Sequence, residues 1–187
     1  MKKFGGSENW KSKIETADQD YKFQQELTSK LDLHTGDFTE VTILEIVLWK
    51  TNRYPEISKS LIEDINRLRS SYSLDKAKAL LRRLLLSKGF DLPMASTVLR
   101  FACPDQLQII DQRVYRFITP DNDSLKIPFN IEEKIALYFR YILSLKTLCA
   151  EHDIPFHKSD RILYQLDKSE NKGIPITTYT KLKASNP

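Results

Sequence analysis

The apolar positions of this chain fall into helical stripes separated by short polar breaks. Residues 8–31 are mostly polar, with apolar residues at Trp10, Ile14, Ala17, Tyr21, Leu27 and Leu31. The first four sit at helical spacing, which predicts one long or broken helix on the outside of the domain. Residues 33–37 read as a connector. Asp37 with Glu40 three residues on has the form of a capping box, opening a helix over 41–50. That segment is apolar almost all round, with Glu45 and Lys50 as exceptions, so it is expected to be central. Ile57, Leu61, Ile62, Ile65 and Leu68 predict a second amphipathic helix. Ser73 is placed to cap a third, running through Leu74, Ala77, Leu80, Leu81, Leu84 and Leu85 to about Leu86.

The next 28 residues, 87–114, organise the chain. Gly89 follows the third helix and offers the backbone freedom of a helix C-terminus. Pro93 stands where a first helical turn tolerates it. A small-residue helix is expected from Met94 to Ala102, ended by Cys103-Pro104-Asp105. The apolar run Leu107–Ile110 leads to Asp111, placed as the N-cap of a short helix carrying Val114, Tyr115, Phe117 and Ile118. After a loop from Thr119, residues 125–129 read as briefly extended. Asn130 with Glu133 is another capping-box pattern. The stripe Ile131, Ile135, Tyr138, Ile142, Leu145 and Cys149 then predicts a core helix of about five turns. A last short helix is expected from Ser159, with Ile162, Leu163 and Leu166 on its apolar face. No strand-length alternation competes with these stripes, so the expected class is all-α: a compact multi-helix domain. The expected organisation is an N-terminal helical extension over 1–36, a helical domain over 37–167 and a polar tail over 168–187.

Composition changes this picture in two ways. With 41% hydrophobic and 29% charged residues, the balance is that of a globular domain able to bury a core. No apolar run approaches the roughly 20 residues of a membrane span. The N-terminus lacks the apolar stretch of a signal peptide. These features predict a cytoplasmic monomer with no membrane association. Cys103 and Cys149 lie in apolar helical contexts and read as reduced core thiols. Charge is uneven along the chain. Between Lys76 and Arg116, eight cations (Lys76, Lys78, Arg82, Arg83, Lys88, Arg100, Arg113, Arg116) face three acids (Asp91, Asp105, Asp111). The segment carries +5 in a chain whose net charge is +4. A local basic surface suits a phosphate backbone; a solvated helix face with no partner is the alternative.

Few residues are arranged for chemistry. His34, His152 and His157 are scattered and neither cysteine has a second thiol nearby, so no metal and no cofactor is expected. Five dispersed glycines form no phosphate loop, and no serine nucleophile elbow occurs. Glu45, Trp49, Lys50, Arg53 and Tyr54 cluster at the exit of the expected central helix. They could line a pocket, with the aromatics stacking and the charged groups reading a base edge. Equally, Lys50 and Arg53 could serve the carbonyl end of the helix.

Helix, tight turn, helix, then a carboxylate at a helix start: residues 74–114 resemble the helix-hairpin-helix DNA glycosylase superfamily. In that family a Leu-Pro-Gly-Val-Gly hairpin grips one DNA phosphate with backbone amides. A catalytic aspartate lies about 18 residues after the position where bifunctional members keep a lysine. Aligned on Ala95, that lysine position is Pro93, and Asp111 matches the aspartate. Val114 and Arg116 fit the aliphatic and basic positions that follow. Gly89 matches the first hairpin glycine, whereas Asp91 replaces the second, and an acid is unfavourable beside a phosphate. The segment beginning Asp160-Arg161 is similar to a closing helix of such proteins. The resemblance spans residues 38–167, with its specific part in the 28 residues around the hairpin.

The resemblance implies a monofunctional DNA glycosylase of bacterial type. It would flip a damaged or modified base out of double-stranded DNA and leave an abasic site. Alkylated, oxidised or deaminated bases, or modified bases of phage DNA in a defence role, all suit the superfamily. Asp111 would be the catalytic carboxylate. With Pro93 in place of lysine, no lyase activity is expected. Lys88, Gly89, Phe90 and Leu92 of the hairpin, with Arg82, Arg83, Arg113 and Arg116, would meet DNA; Arg100 is a further phosphate candidate. A non-catalytic helix-hairpin-helix DNA-binding protein is the alternative, and a helical interaction protein with a basic face a third possibility.

Overall fold

The structure, a computed structural model, describes residues 24–51, 54–119 and 124–176. The expected stripe Trp10, Ile14, Ala17 and Tyr21 lies outside them. The described residues form helices and connections with no strand, so the chain is all-α. None of the helices is long and apolar enough to cross a membrane. The chain divides into two compact units, residues 1–54 and residues 55–187.

In the first unit, α1 (Gln25–Asp32) packs against α2 (Glu40–Lys50). Leu27 is buried there, and Trp49 Nε1 donates to Thr28 Oγ1 at 2.9 Å. Two expectations for α2 need correction. Its cap is Thr39 rather than Asp37. The Thr39 hydroxyl accepts from Thr42 N at 3.2 Å, while Thr42 Oγ1 accepts from Thr39 N at 3.3 Å. Glu40 is the first helical residue. A threonine pair reaches both amides directly, so the capping box closes two residues further on than the acidic pattern suggests. Within its own unit the helix is also not enclosed. Val41, Ile43, Leu44 and Val47 are exposed, and of its described side chains Thr42 alone is buried. A helix that is apolar all round needs neighbours on every side, and within this unit its packing partner is α1.

The second unit contains α3 (Lys59–Ser70), α4 (Leu74–Leu86), α5 (Leu92–Ala102), α6 (Gln112–Ile118), α7 (Ile131–Glu151), a 3₁₀ turn (Phe156–Lys158) and α8 (Ser159–Glu170). Three of these helices begin on the cap their sequences predict, and a fourth, α5, begins at Leu92 on Asp91, two residues before the expected Met94. Ser73 accepts from Lys76 N, and Asp111 from the Arg113 and Val114 amides. Asn130 accepts from the Glu132 and Glu133 amides, and Pro93 occupies the first turn of α5. Each cap satisfies amides a helix start leaves without partners.

The apolar stripes face one core. α4 sits at its middle, against α3, α5 and α7, and α6 lies between α7 and α8. Leu81, Leu84, Leu92, Leu99, Leu107, Ile110, Tyr138, Leu145 and Leu163 are fully buried. Each such side chain is worth about 1.5–3 kcal/mol of burial. Cys103 and Cys149 are free buried thiols. Burial pushes both thiols up, which keeps them protonated and unreactive.

Candidate functional site around Asp111

The chain reaches Asp111 through a buried loop. Cys103 precedes a proline and leaves the helical conformation, with φ −139° and ψ 71°, which ends α5. Leu107, Gln108 and Ile110 are then fully buried, although they belong to no helix. Buried backbone must find partners, and here side chains supply them. Tyr138 Oη donates to the Gln108 carbonyl at 2.9 Å, and Tyr141 Oη donates to the Ile109 carbonyl at 2.7 Å. Ser96 Oγ accepts from Ile110 N at 3.1 Å. The Gln108 side-chain amide closes the loop on the Pro104 carbonyl at 2.7 Å.

Asp111 follows directly. Its Oδ1 accepts from Arg113 N at 2.8 Å and from Val114 N at 3.4 Å. Among the described residues no hydrogen bond reaches its Oδ2. The side chain is half-buried. Tyr141, whose hydroxyl binds the chain two residues before Asp111, stacks on Tyr115 of α6, with ring centroids 6.3 Å apart and planes at 25°. Burial holds the Tyr141 phenol well above its ordinary value, and the charges of Tyr138, Asp111 and Asp160 push the same way. The arrangement therefore offers one carboxylate, fixed by one oxygen at a helix start, near a phenol that stays protonated. Ser96, Tyr138 and Tyr141 were not legible as site residues. Tyr138 reads as one more core position, and Tyr141 falls off the α7 stripe.

At the hairpin, Gly89 has φ +88°, as a C-terminal glycine should. A Cβ there would lie 2.6 Å from Pro55 Cα, so the glycine is also required by the close passage of the chain before α3. Glu56 N donates to the Lys88 carbonyl at 3.1 Å, and the two side chains pair at 3.5 Å. Asp91 caps α5, its carboxylate accepting from Met94 N at 3.0 Å. That amide would otherwise point at an incoming anion; here it is occupied by an acid. Beside the hairpin lies a cleft of about 230 Å³ walled by Phe90, Ile127, Pro128 and Phe129, with Lys134 at its edge.

The remaining expected DNA contacts are placed less favourably. The Leu92 side chain is fully buried in the core, facing inward from the first turn of α5, so only its backbone is placed to meet a partner. Arg116 is also buried: its guanidinium makes two bonds to Asp167 of α8, Nε to Oδ1 at 2.9 Å and Nη2 to Oδ2 at 2.7 Å. It cannot reach a phosphate in this fold. Arg113 joins the same carboxylate at 3.1 Å and lies over the Tyr164 ring. Arg82 forms a two-pronged pair with Glu132, and Arg83 pairs with Asp64 and Ser60. Arg100 is buried 3.4 Å from Asp160. Phe90 is half-buried and Lys88 exposed. The segment charge of +5 is thus largely met by acids from elsewhere in the second unit.

Of the expected base-pocket residues, Glu45 pairs with Lys30 and Trp49 with Thr28, both inside the first unit; Tyr54 is half-buried. Arg53 and the Lys50 side chain lie outside the described residues. No group of His, Cys, Asp or Glu among the described residues is arranged to hold a metal. No family model, curated protein or solved structure matches the chain.

Proposed function

We propose that the chain is a monofunctional DNA glycosylase acting on a damaged or modified base in duplex DNA, with Asp111 as its catalytic carboxylate. The observation that carries this reading is the Asp111 carboxylate itself. Oδ1 is fixed by two backbone amides at the start of α6, and among the described residues no hydrogen bond is made to Oδ2. In the reaction the C1′–N bond of a flipped nucleotide breaks, its electron pair leaving with the base. Positive charge develops on the sugar, and a fixed anion stabilises it more than it stabilises the ground state. Water then adds at C1′ and releases a proton, for which a carboxylate is a fitting acceptor. Pro93 has no amine, so no covalent imine forms at that position and the abasic strand stays intact.

A second reading is a DNA-binding protein of the same architecture without the chemistry. It is favoured by the cap, because two helix amides account for an acid at position 111 with no reaction invoked. Incubation with duplexes carrying alkylated, oxidised, deaminated and hydroxymethylated or glucosylated bases separates the two. Freed base, with strand breaks only after alkali, is the expected result. No release from any duplex, alongside salt-sensitive binding, leaves the second reading. Binding that is flat between low and physiological salt removes both.

A further inference from the structure

We infer that Tyr141, Tyr138 and Ser96 are positioning residues for the Asp111 carboxylate, holding the three residues before it from two different helices. The inference rests on the reading of Asp111 as the reacting group. Gln108 O, Ile109 O and Ile110 N are consecutive along the chain, and each is bound by a buried hydroxyl. Two hydroxyls come from α7 and one from α5, so the loop is tied to two rigid elements at once. Connecting segments usually run over the surface and take water as their partner. This one has no such freedom, and its last fixed atom is one residue from Asp111.

Tyr141 does more than hold a carbonyl. Its ring stacks on Tyr115, four residues beyond Asp111, so one side chain touches the chain on both sides of the carboxylate. Its phenol remains protonated at any working pH, so the bond to Ile109 does not titrate away. A carboxylate required to meet a developing charge must be held within a fraction of an ångström, and groups on helices do this better than groups on loops. Here a loop residue is given the rigidity of two helices. Misplacement by about 1 Å costs on the order of a hundredfold in rate.

The test compares wild type with Tyr141→Phe and Ser96→Ala by three measurements: amide hydrogen exchange, duplex affinity and single-turnover base release. Tyr141→Phe keeps the packed ring, so it holds the fold if Ser96→Ala does not. The expected result is exchange across 109–114 accelerated by about fivefold, the loss of one buried hydrogen bond, with other core amides unchanged. Base release should fall roughly ten- to hundredfold while the duplex dissociation constant stays within about twofold. A purely structural role would not split rate from affinity in this way. Release at the wild-type rate in both variants overturns the inference. If wild type frees no base from any duplex, the glycosylase reading fails and the inference falls with it, whereas base release by wild type with unchanged exchange at 109–114 in both variants overturns the inference alone.

Discussion

Asp167 on α8 holds Arg116 on α6 through a two-pronged pair in the interior, and Arg113 and Asn171 complete the coordination of the same carboxylate. Asp167 is fully buried. Burial alone would raise its carboxyl, but the hydrogen bonds from Arg116, Asn171 and Arg113 outweigh this and hold it below the usual range. The same pairing raises Arg116. Asp167→Asn leaves a guanidinium buried without its counter-charge and should destabilise the second unit by about 3–5 kcal/mol. Because the folded carboxyl titrates lower than the unfolded one, its stabilisation is complete above the ordinary carboxylate range. It is lost as pH falls through the depressed folded value. Urea unfolding of wild type and variant between neutral pH and about pH 2 checks this. The gap should close at the acid end, and a constant gap would count against the pairing.

Gly89 and Gly173 both have φ near +90°, yet a Cβ meets Pro55 Cα at 2.6 Å in one case and nothing within 4 Å in the other. Gly89→Ala should therefore cost at least about 2 kcal/mol, combining backbone strain with a backbone clash. Gly173→Ala should carry only the strain, about 1 kcal/mol. Thermal unfolding of the pair reads the difference. Equal shifts would mean that Pro55 does not pass against the hairpin.

Asp111→Asn separates a structural role from a chemical one. Asparagine caps a helix about as well as aspartate, so stability should stay within roughly 0.5 kcal/mol of wild type. Base release should be abolished, with duplex binding retained or tightened because a negative charge is gone. Release that persists in this variant would remove Asp111 from the mechanism.

Asp91→Asn asks what the acid does at the hairpin. The cap on Met94 N is kept, while the charge beside the expected phosphate is removed. If the hairpin lies against DNA, affinity at low salt should rise about fivefold, the effect of roughly 1 kcal/mol of relieved repulsion in water. Equal affinities for wild type and variant would place the hairpin away from the phosphates.

Much of this fold could be read from the chain. The helices over 59–70, 74–86, 92–102, 112–118, 131–151 and 159–170 follow from stripes of period 3.6 and from caps such as Ser73, Asp111 and Asn130. Those signals are local: an apolar stripe and a cap each act within one or two turns, so neighbouring residues suffice to encode them. The same is true of Gly89, whose positive φ belongs to a helix end. Even here locality misplaced starts: Thr39 and Thr42 outcompeted the acidic pair two residues earlier, and Asp91 begins α5 two residues before Met94.

What each charge and each apolar face meets is not local, and only the tertiary structure decided it. The basic run from Lys76 to Arg116 is a property of sequence, but its neutralisation by Asp64, Glu132, Asp160 and Asp167 depends on residues brought from other helices. Arg82 and Glu132 are 50 residues apart and Arg116 and Asp167 are 51, distances at which no pattern in the chain marks a pair. The apolar α2 was legible as a helix, but not as one with Val41, Leu44 and Val47 exposed. Asp111 itself was visible as a cap. The three hydroxyls that fix the loop before it come from α5 and α7, and they became partners of that loop only when the core closed around it.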